Sequence, residues 1–158
     1  LLRDMGVDVS WDGQCVELRG HRGLRGMDFD GDQATDAVLA MLPLAAHAEG
    51  TSRFYGIGNL RYKECDRIAV PVAEMRRFGV DCHEEEDAII VRGRPEGYEG
   101  GHEAATHHDH RVAQMQAIMG LRSRRGVVVL EAETVGKSYP AFFSDLAALG
   151  AVIDMDKD

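Results

Sequence analysis

With 158 residues the chain has the length of one domain, enough to bury a single hydrophobic core. It is 44% hydrophobic and 28% charged, and 27 acidic residues against 18 basic ones leave a formal net charge of -9. That balance argues against a general binder of nucleic acid or of an anionic membrane, since both reward a positive surface, but it leaves room for a local basic pocket. No apolar run approaches the roughly 18 residues of a membrane span. Leu1-Leu2-Arg3-Asp4-Met5-Gly6 carries an acid and a glycine where a signal peptide would be apolar. Cys15, Cys65 and Cys82 are odd in number and lack metal-like spacing, so a reduced, cytoplasmic setting is expected.

The first segment, Leu2-Arg3-Asp4-Met5-Gly6-Val7-Asp8-Val9, reads as the last turn of a helix, a glycine and the start of a strand. A glycine that can take positive φ is the usual residue just past a helix end. The same pattern returns in Met75-Arg76-Arg77-Phe78-Gly79-Val80-Asp81-Cys82 and in Leu146-Ala147-Ala148-Leu149-Gly150-Ala151-Val152-Ile153. The three glycines, Gly6, Gly79 and Gly150, are almost evenly spaced. After the first two copies an acid-containing turn joins the strand to a second one, Val16-Glu17-Leu18 or Ile89-Ile90-Val91, which is a hairpin signal. Both second strands end in Arg-Gly, at Arg19-Gly20 and Arg92-Gly93.

Between these junctions the spacing predicts a nearly all-apolar helix over 34–48 and its counterpart over 111–121. Each is followed by a strand-like run, Gly50-Thr51-Ser52-Arg53-Phe54-Tyr55 and Gly126-Val127-Val128-Val129-Leu130. Second helices are expected over 65–78 and 140–149. The chain is therefore of mixed α/β (α+β) class, built from β-α-β-α-β-β units in cyclic order: a partial one over 1–20, then 21–93 and 94–158. A helix apolar on most sides must be covered on most sides, so helices belong inside and mixed sheets outside. Leu1 is no initiator Met and falls inside a repeat unit, which leads to the expectation that the chain begins within a longer protein.

Polar residues collect at the junctions. Met27-Asp28-Phe29-Asp30-Gly31-Asp32-Gln33-Ala34-Thr35-Asp36 precedes the first apolar helix and His107-His108-Asp109-His110-Arg111 precedes its counterpart. Asp36 and Asp109 are separated by the same interval as Gly6 and Gly79, in keeping with the repeat. Lys63, Arg67, Arg111 and Lys137 are placed near expected helix starts, the wrong sign for the macrodipole. An anion held between them would account for that, with guanidinium forks suited to carboxylate and phosphate. Pairing with local acids on a solvated surface accounts for it equally well on charge alone.

Asn59-Leu60-Arg61-Tyr62-Lys63-Glu64-Cys65-Asp66-Arg67, Asp109-His110-Arg111, Lys137-Ser138-Tyr139-Pro140 and the acid-rich approach to Asp36-Ala37 together resemble, in order, the signature of the 5-enolpyruvylshikimate-3-phosphate synthases. The resemblance covers essentially the whole chain and implies most of one lobe of a two-lobe enolpyruvyl transferase, incomplete and without its partner lobe. It implies transfer of the enolpyruvyl group of phosphoenolpyruvate to the 5-hydroxyl of shikimate 3-phosphate, with release of phosphate and with no metal or organic cofactor. Asp36 matches the carboxylate at the attacking hydroxyl and Glu64 the acid that handles the methylene proton. Asp36, Asn59 and Lys63 match contacts to shikimate 3-phosphate, and Arg67, Arg111 and Lys137 match the cations that hold phosphoenolpyruvate. Two carboxylates in different settings can divide acid and base work.

Three positions depart from the family's usual pattern. Cys65 stands where Ser or Thr is general, Tyr62 replaces a small aliphatic residue, and His108 stands where a small residue or Asn is common. UDP-N-acetylglucosamine enolpyruvyl transferases share the implied fold but not the Asp-His-Arg and Lys-Ser-aromatic-Pro elements. A non-catalytic anion-binding or structural module is the competing class, because the resemblance puts much of the shikimate-phosphate site on the other lobe. A metal site from His102, Glu103, His107, His108, Asp109 and His110 is disfavoured by spacing, as adjacent residues do not converge easily. His110 is expected to be oriented within its turn and the other histidines to be solvated.

Overall fold

The computed structural model describes residues 1–19 and 23–155. Strands β1 (Asp8–Trp11) and β2 (Val16–Arg19) form a hairpin. Strand β3 (Asp28–Asp30), helix α1 (Val38–Ala46), strand β4 (Thr51–Tyr55), helix α2 (Ala69–Phe78) and the hairpin β5 (Asp81–Glu84) and β6 (Ile89–Arg92) follow. Then come β7 (Glu103–Ala104), α3 (His110–Leu121), β8 (Val128–Val129) and α4 (Phe142–Ala148). The middle strands form one sheet in the order β3-β4-β6-β5, parallel at β3–β4 and antiparallel elsewhere. β7 and β8 pair in parallel as a separate sheet. Among the described residues no helix is long and apolar enough to cross a membrane.

Helices lie inside and the sheet outside. In α1, Val38, Leu39, Met41, Leu42, Pro43, Ala45 and Ala46 are all buried, and α1 packs against α3. On β4, Ser52 and Phe54 face the core while Arg53 and Tyr55 turn outward, the period-two alternation of a sheet with one wet face. Phe29, Cys82, Ile89 and Val91 join them in the core.

The three expected helix–glycine–strand junctions share one hydrogen-bond pattern, although only turns precede Gly6. Gly6, Gly79 and Gly150 have φ of 93°, 90° and 100°. Their N–H groups donate to the carbonyls of Arg3, Arg76 and Ala147, each at 2.9 Å. The next residues, Val7, Val80 and Ala151, donate to Leu2, Met75 and Leu146 at 3.0, 3.2 and 3.0 Å. This paired 5→2 and 6→1 bonding is the Schellman end, which needs a left-handed residue at the glycine. A Cβ on Gly79 would meet nothing within 4 Å, so only its conformation resists substitution. Gly79→Ala is expected to lower stability by about 1–2 kcal/mol, the cost of a left-handed L-residue, with urea m-values unchanged; a loss of a few tenths or less would show that the junction relaxes. Gly93, by contrast, lies so close to the carbonyls of Ala45 and Ala48 that a Cβ would collide with both. Its counterpart Gly20, like the boundary at 20 and 21, lies outside the described residues.

Several expected elements are shorter. The expected helix over 34–48 begins only at Val38, because Asp30 accepts from the Asp32 N–H and Ala34 has φ -159° and ψ 66°, so 31–37 forms two 3-10 turns. The helix expected from 65 begins at Ala69: the Asp66 carboxylate accepts from the N–H groups of Ile68 and Ala69, both at 3.0 Å. Short acidic side chains bonding nearby N–H groups favour turns over helix interior. The fourth helix spans Phe142–Ala148 rather than 140–149. Residues 151–155 form no strand; Val152 is fully exposed, and no strand among the described residues lies beside it. Conversely Asp28–Asp30, read as a polar junction, pairs with β4, and Glu103–Ala104 with β8.

Candidate active site

The turn entering α3 collects three of the seven residues singled out from the sequence, Arg67, Arg111 and Lys137, and two more, Glu64 and Asp36, follow through the two arginines. Asp109 caps α3, its Oδ1 accepting from the Arg111 N–H at 2.8 Å. Arg67 donates to both carboxylate oxygens of Asp109, from Nε at 2.7 Å and from Nη2 at 3.1 Å. Both side chains are buried, 3% and 0% exposed, so this pair sits in low dielectric. Arg67 Nη2 also reaches Glu64 Oε2 at 2.8 Å, and Glu64 is open to solvent. Arg111, on the first turn of α3, donates to the Asp36 carbonyl at 2.7 Å and lies 3.1 Å from its carboxylate. Lys137 Nζ donates to the His108 carbonyl at 3.0 Å, joined there by Thr134 Oγ1 at 3.2 Å.

Thus each proposed carboxylate is paired with one of the proposed anion-holding cations: Glu64 with Arg67 and Asp36 with Arg111. Asn59 and Lys63 stand exposed on the loop before α2, and among the described residues no hydrogen bond ties either to the others. The expectation that these cations crowd helix N-termini holds for Arg111 and for Arg67, which immediately precedes the α2 N-cap Ile68. Lys63 lies farther ahead of α2, and Lys137 closes a 3-10 turn well before α4. Arg61, quoted in the same stretch, has a structural task. Its guanidinium bonds Asp66 and Glu84, both at 2.9 Å, and the carbonyls of Glu85 and Glu86 at 2.7 and 2.9 Å, pinning the loop to the β5–β6 turn.

Electrostatics keep the buried pair charged. Burial pushes the Asp109 carboxyl up, but the Arg67 hydrogen bonds, the Arg111 N–H and the Arg67 charge outweigh it and hold the group below its ordinary range. Burial also works against the Arg67 charge, and its bonds and attraction to Asp109 and Glu64 more than restore it. Cys65 Sγ–H donates to Asp109 Oδ2 at 3.4 Å. Burial, the Asp109 charge and that bond push its thiol up to about 12, so it stays protonated and acts as the small donor that Ser or Thr would be.

His107 and His108 both have positive φ, 52° and 57°, and the Asp109 N–H returns to the Thr106 carbonyl at 3.0 Å. Two successive positive φ values across such a bond are those of a type I′ turn, which favours Asn and Gly and tolerates His better than most residues. The histidines diverge: His107 meets Glu74 and His108 meets Glu131, each at 3.2 Å. His102 packs edge-on against Phe78 with ring centroids 4.4 Å apart, so it is not a solvated loop residue, and that burial pulls its imidazole below the usual range. His110 is buried as the first residue of α3. Among the described residues no three His, Cys, Asp or Glu side chains are grouped to hold a metal.

Sequence reasoning assigned Asp109 no part of its own, although it is the hub on which Arg67, Cys65 and the α3 N-terminus meet. An aspartate directly ahead of an apolar helical run is an N-cap signal and would have pointed to it. The His108 carbonyl, which fixes Lys137, is backbone and leaves no trace in the sequence.

The sequence matches the family described as EPSP synthase (3-phosphoshikimate 1-carboxyvinyltransferase) over residues 1–146. It is 40% identical to the 3-phosphoshikimate 1-carboxyvinyltransferase of Burkholderia pseudomallei over 90% of this chain and 32% of that one. Identity to the enzyme of the same name from Deinococcus radiodurans is also 40%, over 96% of this chain and 34% of that one. The structure superposes on EPSP synthase from Acinetobacter baumannii with a TM-score of 0.86 at 29% identity, covering 99% of this chain and 38% of that one. It also shares its fold with the enolpyruvyl transferase NikO from Streptomyces tendae, with a TM-score of 0.79 at 20% identity over 97% of this chain and 34% of that one. The chain spans about a third of the length of the curated relatives it matches.

Proposed function

The chain belongs to the EPSP synthase family, and from that premise we propose that it forms most of one lobe of a 3-phosphoshikimate 1-carboxyvinyltransferase, completed by a partner lobe and working in the cytoplasm. The whole enzyme would transfer the enolpyruvyl group of phosphoenolpyruvate to the 5-hydroxyl of shikimate 3-phosphate and release phosphate. The observation that carries this reading is the meeting of Arg67, Arg111 and Lys137 around one turn, with Glu64 and Asp36 attached to the two arginines.

Phosphoenolpyruvate carries a carboxylate and a phosphate, and two guanidinium forks with an ammonium match that charge. Glu64 and Asp36 engage the two guanidiniums, so the incoming anion competes with both. Displacing them leaves two carboxylates beside the reacting atoms. Asp36 then takes the proton of the attacking hydroxyl. Glu64 delivers a proton to the methylene carbon as the carbon–oxygen bond forms, and takes one back when phosphate leaves. Asn59 and Lys63, exposed on their loop, are free to reach shikimate 3-phosphate.

Titration of the 158-residue chain with phosphoenolpyruvate and with shikimate 3-phosphate, followed by amide NMR, tests the pocket. Weak saturable shifts are expected at Arg67, Arg111 and Lys137 with the first ligand and at Asn59 and Lys63 with the second. Arg111→Ala and Lys137→Ala should each lose the first set while keeping the spectrum of a folded chain. Unchanged binding in both variants would reduce these cations to surface charge and remove the proposed roles.

A further inference from the structure

We propose that Glu131 is a positioning residue for the anion pocket: its carboxylate fixes the left-handed turn whose His108 carbonyl holds Lys137. This deepens the reading above and rests on it, since Lys137 counts here as a cation for phosphoenolpyruvate.

Backbone conformation points to the place. Among the described residues, those other than glycine with positive φ are His107, His108 and Glu131. Strain of this kind persists only where the surroundings enforce it, and it gathers at working sites. The pairing of β8 with β7 runs as far as the Leu130 N–H, which donates to the Ala104 carbonyl at 3.0 Å. Glu131 then takes φ 51° and ψ 41°, turning the chain out of the sheet and into the 3-10 turn Ala132–Lys137. A glycine would take that conformation without strain, so the backbone does not account for a glutamate there.

The side chain does. Glu131 Oε2 accepts from Thr106 Oγ1 and meets His108 Nδ1, each at 3.2 Å. Thr106 is wholly buried, and its carbonyl closes the histidine turn by accepting from the Asp109 N–H at 3.0 Å. The Glu131 carbonyl accepts from the Thr134 N–H at 3.1 Å, and Thr134 Oγ1 donates to the His108 carbonyl at 3.2 Å. Glu131, Thr134 and His108 thus close a ring of contacts. Lys137 Nζ is tied to that ring at the His108 carbonyl, 3.0 Å away. Two histidines lack the intrinsic preference of Asn-Gly for such a turn, so contacts from outside must hold it. Cutting the ring at Glu131 frees the carbonyl that aims the ammonium.

Charge alone predicts the opposite sign. Glu131 is a half-exposed carboxylate beside a pocket meant for an anion. If it acted only through its field, removing it would strengthen anion binding. As a positioning residue, its removal weakens binding instead. A single oxygen, Oε2, makes both side-chain contacts, so an amide oxygen in the same place can keep them without the charge.

The test is the affinity of the 158-residue chain for phosphoenolpyruvate and for shikimate 3-phosphate, read by amide NMR in wild type, Glu131→Gln, Glu131→Ala and Glu131→Gly. Alanine and glycine should each weaken phosphoenolpyruvate binding roughly three- to tenfold, the worth of about one hydrogen bond. Glycine takes the left-handed conformation freely, so it guards against a folding defect in the alanine variant. Glutamine should stay within about twofold of wild type, because its oxygen keeps the ring closed. Affinity for shikimate 3-phosphate, proposed to rest on Asn59 and Lys63, should not change in any variant. Alanine and glycine variants that bind phosphoenolpyruvate as tightly as wild type, or more tightly, overturn the proposal and leave Glu131 a surface charge. So does a glutamine variant as weak as the alanine one, or an equal loss of shikimate 3-phosphate binding. A wild-type chain with no saturable response to phosphoenolpyruvate removes the proposed part of Lys137 and this proposal with it, whereas the other outcomes remove Glu131 alone.

Discussion

Asp109→Ala is expected to destabilise the chain by about 3–5 kcal/mol, because it leaves the Arg67 guanidinium buried without its main counter-charge. Loss of the α3 N-cap contributes about 1 kcal/mol within that range. Glu64 remains as a partner for Arg67, but it is exposed and solvent-screened, so it offsets little of the loss. Against a typical total stability of about 5–15 kcal/mol, the effect brings the chain close to unfolding. Asp109→Asn separates the two contributions: its amide oxygen can still cap α3, so what it loses is the ion pair. Urea unfolding of both variants measures the difference, and an alanine variant within about 1 kcal/mol of wild type would mean that the pair adds no more than a cap.

The same residue sets an acid limb. The Asp109 carboxyl is held below its unfolded value, since the Arg67 bonds and charge outweigh the upward push of burial. A carboxylate of this kind contributes its stability above the unfolded pKa of about 3.9 and loses it as pH falls through the lower folded pKa. Wild type should therefore keep this contribution at neutral pH and shed it below about pH 4, while Asp109→Asn shows a shallower loss over the same interval.

The features that were legible in the sequence are those carried by local physics. The helix ends at Gly6, Gly79 and Gly150 were readable because a Schellman end is a property of a few consecutive residues. Helix α1 was readable because most of its residues are apolar and buried, which leaves it no place except the interior. β3 was hidden: of Asp28, Phe29 and Asp30 only Phe29 is buried, and its partner β4 lies beyond the whole of α1. The helix starts were misjudged where Asp30 and Asp66 spend their side-chain oxygens on turns. At the site, the identities of Arg67, Arg111, Lys137, Asp36 and Glu64 were readable as motifs, but their pairing was not. That Arg111 meets Asp36 depends on how α1 packs against α3, and that Lys137 meets a carbonyl depends on the left-handed turn at His107 and His108.

Turnover is expected only when this chain is joined by a complementary lobe, and the expected contrast is all or none. In the proposed site Arg67, Arg111 and Lys137 would supply cations for one substrate, while the resemblance puts the groups that hold most of shikimate 3-phosphate on the other lobe. Holding one reactant leaves the reaction bimolecular, and orienting both is worth about 7–11 kcal/mol of barrier. Release of inorganic phosphate from phosphoenolpyruvate and shikimate 3-phosphate should be undetectable with the purified chain. It should appear on adding the remaining part of the Burkholderia pseudomallei relative, with which this chain is 40% identical over the matched third. In the reconstituted enzyme Arg111→Ala should lower kcat/KM by roughly a hundred- to a thousandfold, as for loss of one preorganised donor to developing charge. Asp36→Ala and Glu64→Ala should act mainly on kcat if each has its proposed part in proton transfer. Steady turnover by the chain alone would sink the two-lobe reading, whereas an active mixture indifferent to Arg111→Ala would keep the two lobes and remove Arg111 from the site.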